Sequence, residues 1–459
     1  MPWMTLTLEV TTPLFNGDAD PADEAGLRAA DEAGIRVASI RGAMRFWFRA
    51  LAGAYTGPDV ALLAGLERRV FGGIIPRNEG RAPGAEGAVP SPLILRLPNP
   101  PDLSSETRPD FLRGPQWQWI TYLLGLGLME MKKEKKDEPA RPHLLRPCVL
   151  PDPERPFDLK IRFQHDRQAT EETRHAIEAL ALTSLWLASI YGGLGARTRR
   201  GFGGFRIVGG DGQLPAPWNW ERIKLPATRI LAKASNAWPP REVVERLEPH
   251  LRELARAEGK ELAQPDQWTA PPLFPVLSER FAPAVLAAGT QQSWEEVLGH
   301  AGKQLRFFRA NRQEQTGRRQ PARHTAEWDD VINGDYADFP LGALGLPVVF
   351  HDKNQRYTLT VNAIDTTTPE TVQLRRASPL WLRPVGAGTS WRLFTYAFQG
   401  CFLPGTPSTG VRLLPDSDAR AKRQEEADLI VGTEHVVQLT DQWIDTMRAG
   451  GDFETVDRV

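Results

Sequence analysis

The stretch GGLGARTRRGFGGF (residues 192–205) decides the fold, because it joins a long apolar helical pattern to a strand pattern. It holds six glycines, and its only charges are Arg197, Arg199 and Arg200. A turn or a helix cap needs one or two glycines. The surplus indicates that the backbone comes close to another group, and the arginines suggest that this group is anionic.

The segments around this loop alternate between strand and helix patterns. Residues 170–191 predict a buried helix with Thr170 as its N-cap, and residues 205–208 predict a strand. Upstream, the strand patterns are MTLTLEVTTPLF (4–15), PLILRLP (92–98) and FDLKIRFQH (157–165), and the helix patterns are 35–55 and 59–72, with Asp59 as N-cap and Gly72 as the end. This order is close to βαββαβ, the ferredoxin-like plan.

The second half of the chain reads as another α+β domain with longer insertions. A Gly/Pro/polar segment at 209–227 has the composition of a linker. Strand patterns follow at 345–352, 356–364, 378–384 and 391–400, and helical patterns at 241–259, 293–313 and roughly 417–448. We therefore expect an α+β protein with one domain at 1–212 and a second at 225–459.

Composition limits the function classes. The 459 residues carry a formal net charge of −1, so a nucleic-acid site must be a local basic face on a balanced molecule. Cys148 and Cys401 have no zinc-binding spacing and no disulfide framework, which fits a reducing cytoplasm. No signal peptide or membrane-length apolar run occurs, and we expect no membrane partner, no metal and no cofactor. The charge run MKKEKKDEP (131–139) indicates a solvated helix end or a loop.

A row of arginines is predicted on the first helix, in SIRGAMRFWFR (39–49). Arg41, Arg45 and Arg49 are spaced i, i+4, i+8 and share one face, where uncompensated like charges repel. Ser39 stands where an N-cap is expected, so this helix end is a candidate phosphate seat. The alternative is a solvated helix face.

A third basic segment spans residues 303–324, with seven Lys or Arg against the single acid Glu314. Its candidate RNA-binding residues are Arg306, Arg309, Arg312, Arg318 and Arg319. Phe307 or Phe308 is placed to stack on a base. A buried Phe pair under a basic helix is the alternative.

Catalytic and nucleotide-binding motifs are weak. The loop at 192–205 lacks the GK[ST] of a P-loop, and Thr198 occupies the third glycine position of a dinucleotide fingerprint. GGDG (209–212) and GGDFE (450–454) lack the surroundings of a polymerase palm. His143 or His165 is a candidate general base for a metal-independent ribonuclease, but we assign no catalytic residue.

Three motifs together resemble the RAMP superfamily of CRISPR proteins: SIRGAMRFWFRAL, ERRVFGG (67–73) and GGLGARTRRGFGGF. GLPVVF (345–350) and RRASPLWLRP (375–384) are similar to the second half of one branch, the first-numbered subunits of type III-B (Cmr) effector complexes. The resemblance implies two ferredoxin-like (RRM-like) domains with insertions. It also implies contact with crRNA and target RNA beside other Cmr subunits, especially a neighbouring RAMP subunit, without target cutting.

Carried onto this chain, the resemblance assigns RNA binding to the Ser39–Gly42 turn and to the glycine loop. Together with the arginine row, the candidate RNA-binding residues are Ser39, Arg41, Gly42, Arg45, Arg49, Gly193, Gly195, Arg197, Arg199, Arg200, Gly201 and Gly203. A guide-binding protein must accept many spacers, so contacts to the backbone are expected rather than base readout. The competing functions are a crRNA-processing endoribonuclease and a scaffolding subunit whose basic loops contact acidic protein surfaces.

Overall fold

The structure is a computed structural model with mixed helices and sheets, which confirms the α+β class. It describes residues 2–16, 34–75, 87–125, 127–133, 135–224, 241–263, 270–287, 289–310, 331, 334, 338–351, 357–365, 372–403, 409–421, 425–449 and 453–455. Within these ranges, no helix combines the length and the apolar character needed to cross a lipid bilayer.

The helices and strands are numbered along the chain. The helices are α1 (Val37–Thr56), α2 (Val60–Phe71), α3 (Trp117–Leu124), α4 (Glu171–Ile190), α5 (Trp220–Ile223), α6 (Arg241–Ala257), α7 (Trp294–Arg309), α8 (Ser417–Ala421) and α9 (Thr433–Ala449). The first strands are β1 (Met4–Val10), β2 (Gly73–Ile74), β3 (Ala88–Val89), β4 (Leu93–Arg96), β5 (Met129–Lys132), β6 (Arg141–Leu144), β7 (Phe157–Phe163) and β8 (Phe205–Asp211). The remaining strands are β9 (Ala284–Ala287), β10 (Val348–His351), β11 (Thr358–Asp365), β12 (Val372–Leu374), β13 (Leu380–Ala387), β14 (Ser390–Ala397), β15 (Thr409–Pro415), β16 (Ala427–Leu429) and β17 (Phe453–Thr455).

The first half forms a four-stranded antiparallel sheet in the order β4–β7–β1–β8. Residues alternate along its strands: Leu6 and Leu8 of β1 are buried, whereas Thr5 and Thr7 are half-exposed. The buried side chains share one core with those of α1 and α4. One face of the sheet therefore packs on helices, and the other carries polar side chains.

The second half repeats this strand order. Its four-stranded antiparallel sheet has the order β13–β14–β9–β17. When the four strands of each sheet are numbered 1 to 4 along the chain, both sheets have the order 2-3-1-4. The strands of a five-stranded sheet, β10, β11, β12, β15 and β16, are inserted between those of the repeated unit. Sequence patterns did not reveal this repeat, because the inserted strands separate its members.

Two helices cross between the halves. The helix α6 of the second half packs on α2 and α4 of the first, where Glu258 forms an ion pair with Arg69. In the opposite direction, α3 of the first half packs on α7. The division into one domain at 1–212 and a second at 225–459 stays a prediction. The crossing helices pack the two halves of the chain against each other.

The helix caps predicted at Asp59 and Thr170 and the helix end predicted at Gly72 are confirmed. The Asp59 carboxylate accepts a hydrogen bond from the amide of Leu62 at 2.8 Å, and α2 ends before Gly72, whose φ is 72°. The Thr170 hydroxyl accepts from the amide of Thr173 at 3.2 Å and starts α4. These signals act over one helical turn, so the sequence alone is sufficient to read them.

One local prediction is wrong. The N-cap of α1 is Arg36, and Ser39 lies inside the helix with its hydroxyl 2.9 Å from Oδ1 of Asn16. The charge run beginning at Met131 was predicted as a helix end or a loop. Its first residues belong to β5, and residues 135–138 form the turn before the paired strand β6, so the loop alternative is the one observed.

The C-terminal end of α4 is closed by two side chains of the second half. Arg383 of β13 is 4% exposed, and its guanidinium donates to the carbonyls of Ser189 at 2.7 Å, Phe205 at 3.3 Å and Ile190 at 3.4 Å. The hydroxyl of Tyr396 donates to the carbonyl of Tyr191 at 2.7 Å. Helix ends leave such carbonyls without intrahelical partners, and a cation is favourable there.

Replacing Arg383 is expected to destabilise the whole chain. Arg383→Met removes the buried donors and leaves carbonyls unsatisfied, which costs about 3 kcal/mol. Tyr396→Phe removes one donor and costs about 1 kcal/mol. Urea and thermal midpoints measure both effects, and Arg383→Lys, which keeps the charge without the fork, should fall between Arg383→Met and the parent. A parental midpoint for Arg383→Met would contradict the capping role.

Candidate nucleic-acid interface

The glycine loop is folded tightly onto the protein. The amide of Leu194 donates to the carbonyl of Gly203 at 2.8 Å, and a Cβ added at Gly203 would lie 1.9 Å from the Leu194 oxygen. Gly195 has a φ of 80°, and its added Cβ would lie 2.2 Å from the carbonyl oxygen of Phe15. The close approach indicated by the glycine count is thus largely an approach to the protein's own backbone.

The far side of the loop docks on the second half. The amide of Leu382 in β13 donates to the carbonyl of Arg199 at 3.1 Å. A Cβ added at Gly201 would lie 2.4 Å from Cδ2 of Leu298 on α7. The loop therefore holds the two halves of the chain against each other, and its arginines lie where they meet.

The three loop arginines have different surroundings. Arg197 is exposed and has a φ of 61°, a left-handed conformation that is uncommon outside glycine. Arg199 is half-buried, donates to the carbonyl of Ser378 at 2.9 Å, and lies over the Trp381 ring with 5.4 Å between its guanidinium carbon and the ring centroid. Burial lowers the pKa of Arg199.

Arg200 lies at a concentration of positive charge. Burial, followed by the positive charges of Arg309 and Arg197, lowers the pKa of Arg200 to about 10. The group stays protonated at neutral pH, but its charge lies in an unfavourable environment. The structure thus brings together the glycine loop and the end of α7, which the sequence treats as separate basic segments.

Arg306 and the two phenylalanines of α7 have protein partners. Arg306 lies 5.2 Å from the centroid of the Tyr122 ring. Phe307 packs against Trp119, and Phe308 packs against Trp443 with a centroid separation of 5.3 Å. Both rings are half-buried, so the alternative of a buried Phe pair is realised only in part, and base stacking on either ring stays a prediction. Arg312, Arg318 and Arg319 lie outside the described residues.

A cleft of about 320 Å³ lies between α1, the glycine loop and β13. It contains Ser39 and aromatic side chains from α1, Arg199 and Thr198 from the loop, and Trp381 from β13. We call it the Arg199 cleft. The described lining holds no carboxylate and no amide side chain; it comprises Ser39, Ala43, Phe46, Trp47, Gly193, Gly195, Thr198, Arg199 and Trp381.

A second cleft of about 220 Å³ shares Arg199 and Trp381 with the first and adds Arg375 and Arg376. Burial and the charge of Arg199 lower the pKa of Arg376 to about 10. Its guanidinium carbon lies 4.9 Å from the centroid of Phe402. Charge patterns in the sequence did not single out these two arginines as site residues, although they begin the motif RRASPLWLRP.

The arginine row of α1 is compensated, so the repulsion expected from the sequence does not arise. Glu67 of α2 is 8% exposed and accepts from Arg45 at 2.6 Å and from Arg49 at 3.2 Å. Arg41 donates to the carbonyl of Leu93 at 3.1 Å. Only Ser39 from this part of the prediction lines the Arg199 cleft, whereas Gly42 is exposed with open space around it.

The candidate general base His165 is shielded. Its Nε2 lies 2.6 Å from Oε1 of the buried Glu178, and its Nδ1 is also buried. The ring stacks on Phe163 at the opposite end of α4 from the glycine loop. His143 lies on β6, opposite Glu130. In the described part of the chain, no group of three or more His, Cys, Asp and Glu is placed to hold a metal.

Comparisons with known proteins bear on the family. Residues 7–206 match the RAMP superfamily. The chain is similar to the CRISPR system Cmr subunit Cmr1-2 of Pyrococcus furiosus, at 27% identity over 207 residues, covering 44% of this chain and 92% of that protein. It is also similar to Cmr1-1 of the same organism, at 30% identity over 170 residues, covering 37% of this chain and 39% of that protein.

Solved structures include similar chains across most of the length. The apo crystal structure of Cmr1 from Pyrococcus furiosus has a TM-score of 0.43 at 19% identity, covering 93% of this chain and 98% of that one. A chain of a type III-B Cmr-beta complex bound to cognate target RNA has a TM-score of 0.41 at 12% identity, covering 97% of this chain and 99% of that one. The family match and the curated relatives confirm the resemblance to the RAMP superfamily and to Cmr1 subunits.

Arg45→Ala tests the pairing with Glu67. The substitution leaves a buried carboxylate with fewer donors, so we expect stability to fall by about 1 to 3 kcal/mol without any nucleic acid present. Thermal midpoints measure it, and Arg113→Ala, at an exposed arginine paired with Glu106, is the matched control. A rise in stability for Arg45→Ala would mean that repulsion within the row dominates after all.

Proposed function

We propose that this protein is a non-catalytic, RNA-binding subunit of a type III-B CRISPR effector complex. It holds the 3′ part of the crRNA, its target RNA or both through contacts that do not depend on sequence. The observation that supports this most strongly is the Arg199 cleft, where Arg199 lies beside Trp381 and Phe46 without an ion-pair partner among the described residues.

The electrostatics favour a polyanion. Arg200 interacts with the charges of Arg309 and Arg197, and Arg376 interacts with the charge of Arg199. Burial first, and then these like charges, lowers the pKa of Arg200 and of Arg376 to about 10. Negative charge placed there relieves that repulsion, and a phosphodiester backbone supplies it at regular intervals. Guanidinium groups also form paired hydrogen bonds to phosphate.

The lining of the Arg199 cleft favours stacking and backbone contact over base readout. Aromatic rings and arginine are the side chains on which bases of single strands stack. Amide and carboxylate side chains, which read the edges of adenine and cytosine, do not occur in its described lining. Such a site suits a guide whose sequence varies.

The family relationship supports the assembly. The named relatives are subunits of Cmr systems, so we propose that this chain joins other Cmr subunits, with a RAMP subunit as neighbour, in the cytoplasm. We also interpret the shared 2-3-1-4 order of the two four-stranded sheets as two ferredoxin-like (RRM-like) domains. The five-stranded sheet is then the main insertion.

Absence of cleavage is part of the proposal. A general base must reach the proton that it removes, but Nδ1 of His165 is buried and its Nε2 is occupied by Glu178 at 2.6 Å. We therefore assign this histidine to the packing of α4 on β7. Of the two histidines predicted as general bases, His143 is then the stronger candidate for the endoribonuclease alternative.

The Arg197→Ala, Arg199→Ala, Arg200→Ala triple variant tests the interface. We expect weaker binding by a similar factor for unrelated single-stranded RNAs. The slope of log affinity against log salt should fall by roughly 0.7 for each phosphate that no longer meets an arginine. Fluorescence anisotropy across a salt series measures both quantities.

The control for that experiment removes the same charge elsewhere. Arg113, Arg155 and Arg412 each have an acidic ion-pair partner, and their triple alanine variant should keep the parental slope. Arg45→Ala should also keep it, since Glu67 holds that side chain. An unchanged slope for the loop variant would assign its arginines to a protein contact and favour the scaffolding function.

Purified protein should not cut single-stranded repeat RNA in Mg²⁺, in Mn²⁺ or in EDTA. The physical reason is that no described base is placed to activate a 2′-hydroxyl at the Arg199 cleft. Gel analysis of end-labelled RNA after prolonged incubation measures this. Cleavage that disappears in His143→Ala or His165→Ala would establish the ribonuclease instead.

A further inference from the structure

The outer face of the first sheet carries a second concentration of positive charge. Met4 pairs with Ile161 and Ile94 pairs with Arg162, so the register places Trp3, Arg162 and Ile94 in a row across the sheet. The guanidinium carbons of Arg96 and Arg162 each lie 4.9 Å from the centroid of the Trp3 ring. We call Trp3, Arg96, Lys160 and Arg162 the Trp3 platform.

The positive charges of the platform are not neutralised by the acids of the same face. Glu9 is occupied by Arg206, with oxygens 2.8 and 3.0 Å from its guanidinium, and Asp158 accepts from the Thr7 hydroxyl at 3.0 Å. Within the described part of the chain, Arg96, Lys160 and Arg162 have neither an ion pair nor a side-chain hydrogen bond. Arg96 is exposed, and Trp3, Lys160 and Arg162 are half-exposed.

The platform continues into a wide cleft at the start of α4. Arg162 lines this opening of about 690 Å³ together with Arg167, Arg174 and His175. Two carboxylates also line it, but Glu178 is bound by His165, so Glu171 remains as the acid facing the opening. The Nε of Arg174 is buried there without a hydrogen-bond partner.

We propose that the Trp3 platform binds single-stranded nucleic acid, with bases stacked on the indole and guanidinium planes and phosphates on Lys160 and the arginines. An aromatic ring and guanidinium planes on an open sheet, with cations that form no ion pair, are suited to splayed bases and their backbone. An acidic protein surface would satisfy the charges, but it would not supply flat rings to stack on the guanidinium planes that lie over Trp3.

This site is separate from the Arg199 cleft. The chain after β1 contacts the glycine loop, where the amide of Thr11 donates to the carbonyl of Gly204 at 2.8 Å. Trp3 precedes the opposite end of β1, which at 3.3 Å per residue is about 23 Å away. The platform therefore does not need the proposed function to be correct, and the two can be tested independently.

The experiment uses the full-length protein with a fluorescent U15 RNA and a dT15 DNA. Trp3→Ala should weaken binding about tenfold and Trp3→Phe by less than about threefold, since stacking survives on phenylalanine. The Arg96→Ala, Arg162→Ala double variant should lower the salt slope by about 1.4, or roughly 0.7 for each phosphate. Arg113→Ala, Arg155→Ala, at ion-paired exposed arginines, is the matched control and should keep the parental slope.

Photo-crosslinking with 4-thiouridine RNA adds a readout that does not depend on affinity, since the platform predicts a crosslinked peptide containing Trp3. If U15 and dT15 bind equally, the platform binds single-stranded RNA and DNA alike. If U15 binds more tightly, the ligand of the platform is RNA. Parental affinity and slope in both the Trp3→Ala and the double variants, with no crosslink at Trp3, would overturn the proposal. If only the Arg197→Ala, Arg199→Ala, Arg200→Ala variant binds more weakly, the platform proposal is wrong and the proposed function stands. If only the platform variants bind more weakly, the platform proposal stands and RNA binding at the glycine loop is wrong.

Discussion

The buried guanidinium of Arg383 is the contact on which the arrangement of the chain depends. Removing an arginine from water is costly, and here the carbonyls at the end of α4 and the negative end of its dipole offset that cost. The geometry requires β13 to lie directly at the helix end. The two four-stranded sheets are thereby fixed relative to each other, and Tyr396 on the neighbouring strand adds a second donor.

The shape of the glycine loop follows from this contact. A Cβ added at Gly204 would lie 2.4 Å from Nη1 of Arg383, so the loop can pass the buried guanidinium only without a side chain. The loop then runs beside β13, where Leu382 donates to Arg199. Because both clefts around Arg199 and Trp381 contain residues from both halves, the candidate interface exists only in the assembled chain.

The arginines of this protein differ in whether an acidic side chain packs against them. The chain as a whole carries a formal net charge of −1, yet burial, and then the charges of neighbouring arginines, lowers the pKa of Arg200 and of Arg376. Arg45 and Arg49 meet the buried Glu67 instead. The same residue type therefore stabilises the fold on one face of α1 and concentrates positive charge where the loop, α7 and β13 meet.

The sequence by itself determined the features whose signals act over a few residues. Hydrogen bonds within one helical turn decide the caps at Asp59 and Thr170. Three short motifs, including the glycine loop, sufficed to identify the resemblance to the RAMP superfamily. Tertiary structure alone decided what the candidate residues contact. Arg45 was predicted to bind RNA, and it forms an ion pair with Glu67 instead. Contacts between residues distant in the chain depend on how the two sheets are placed. That placement is set by the packing of Arg383 on α4, which no local pattern records.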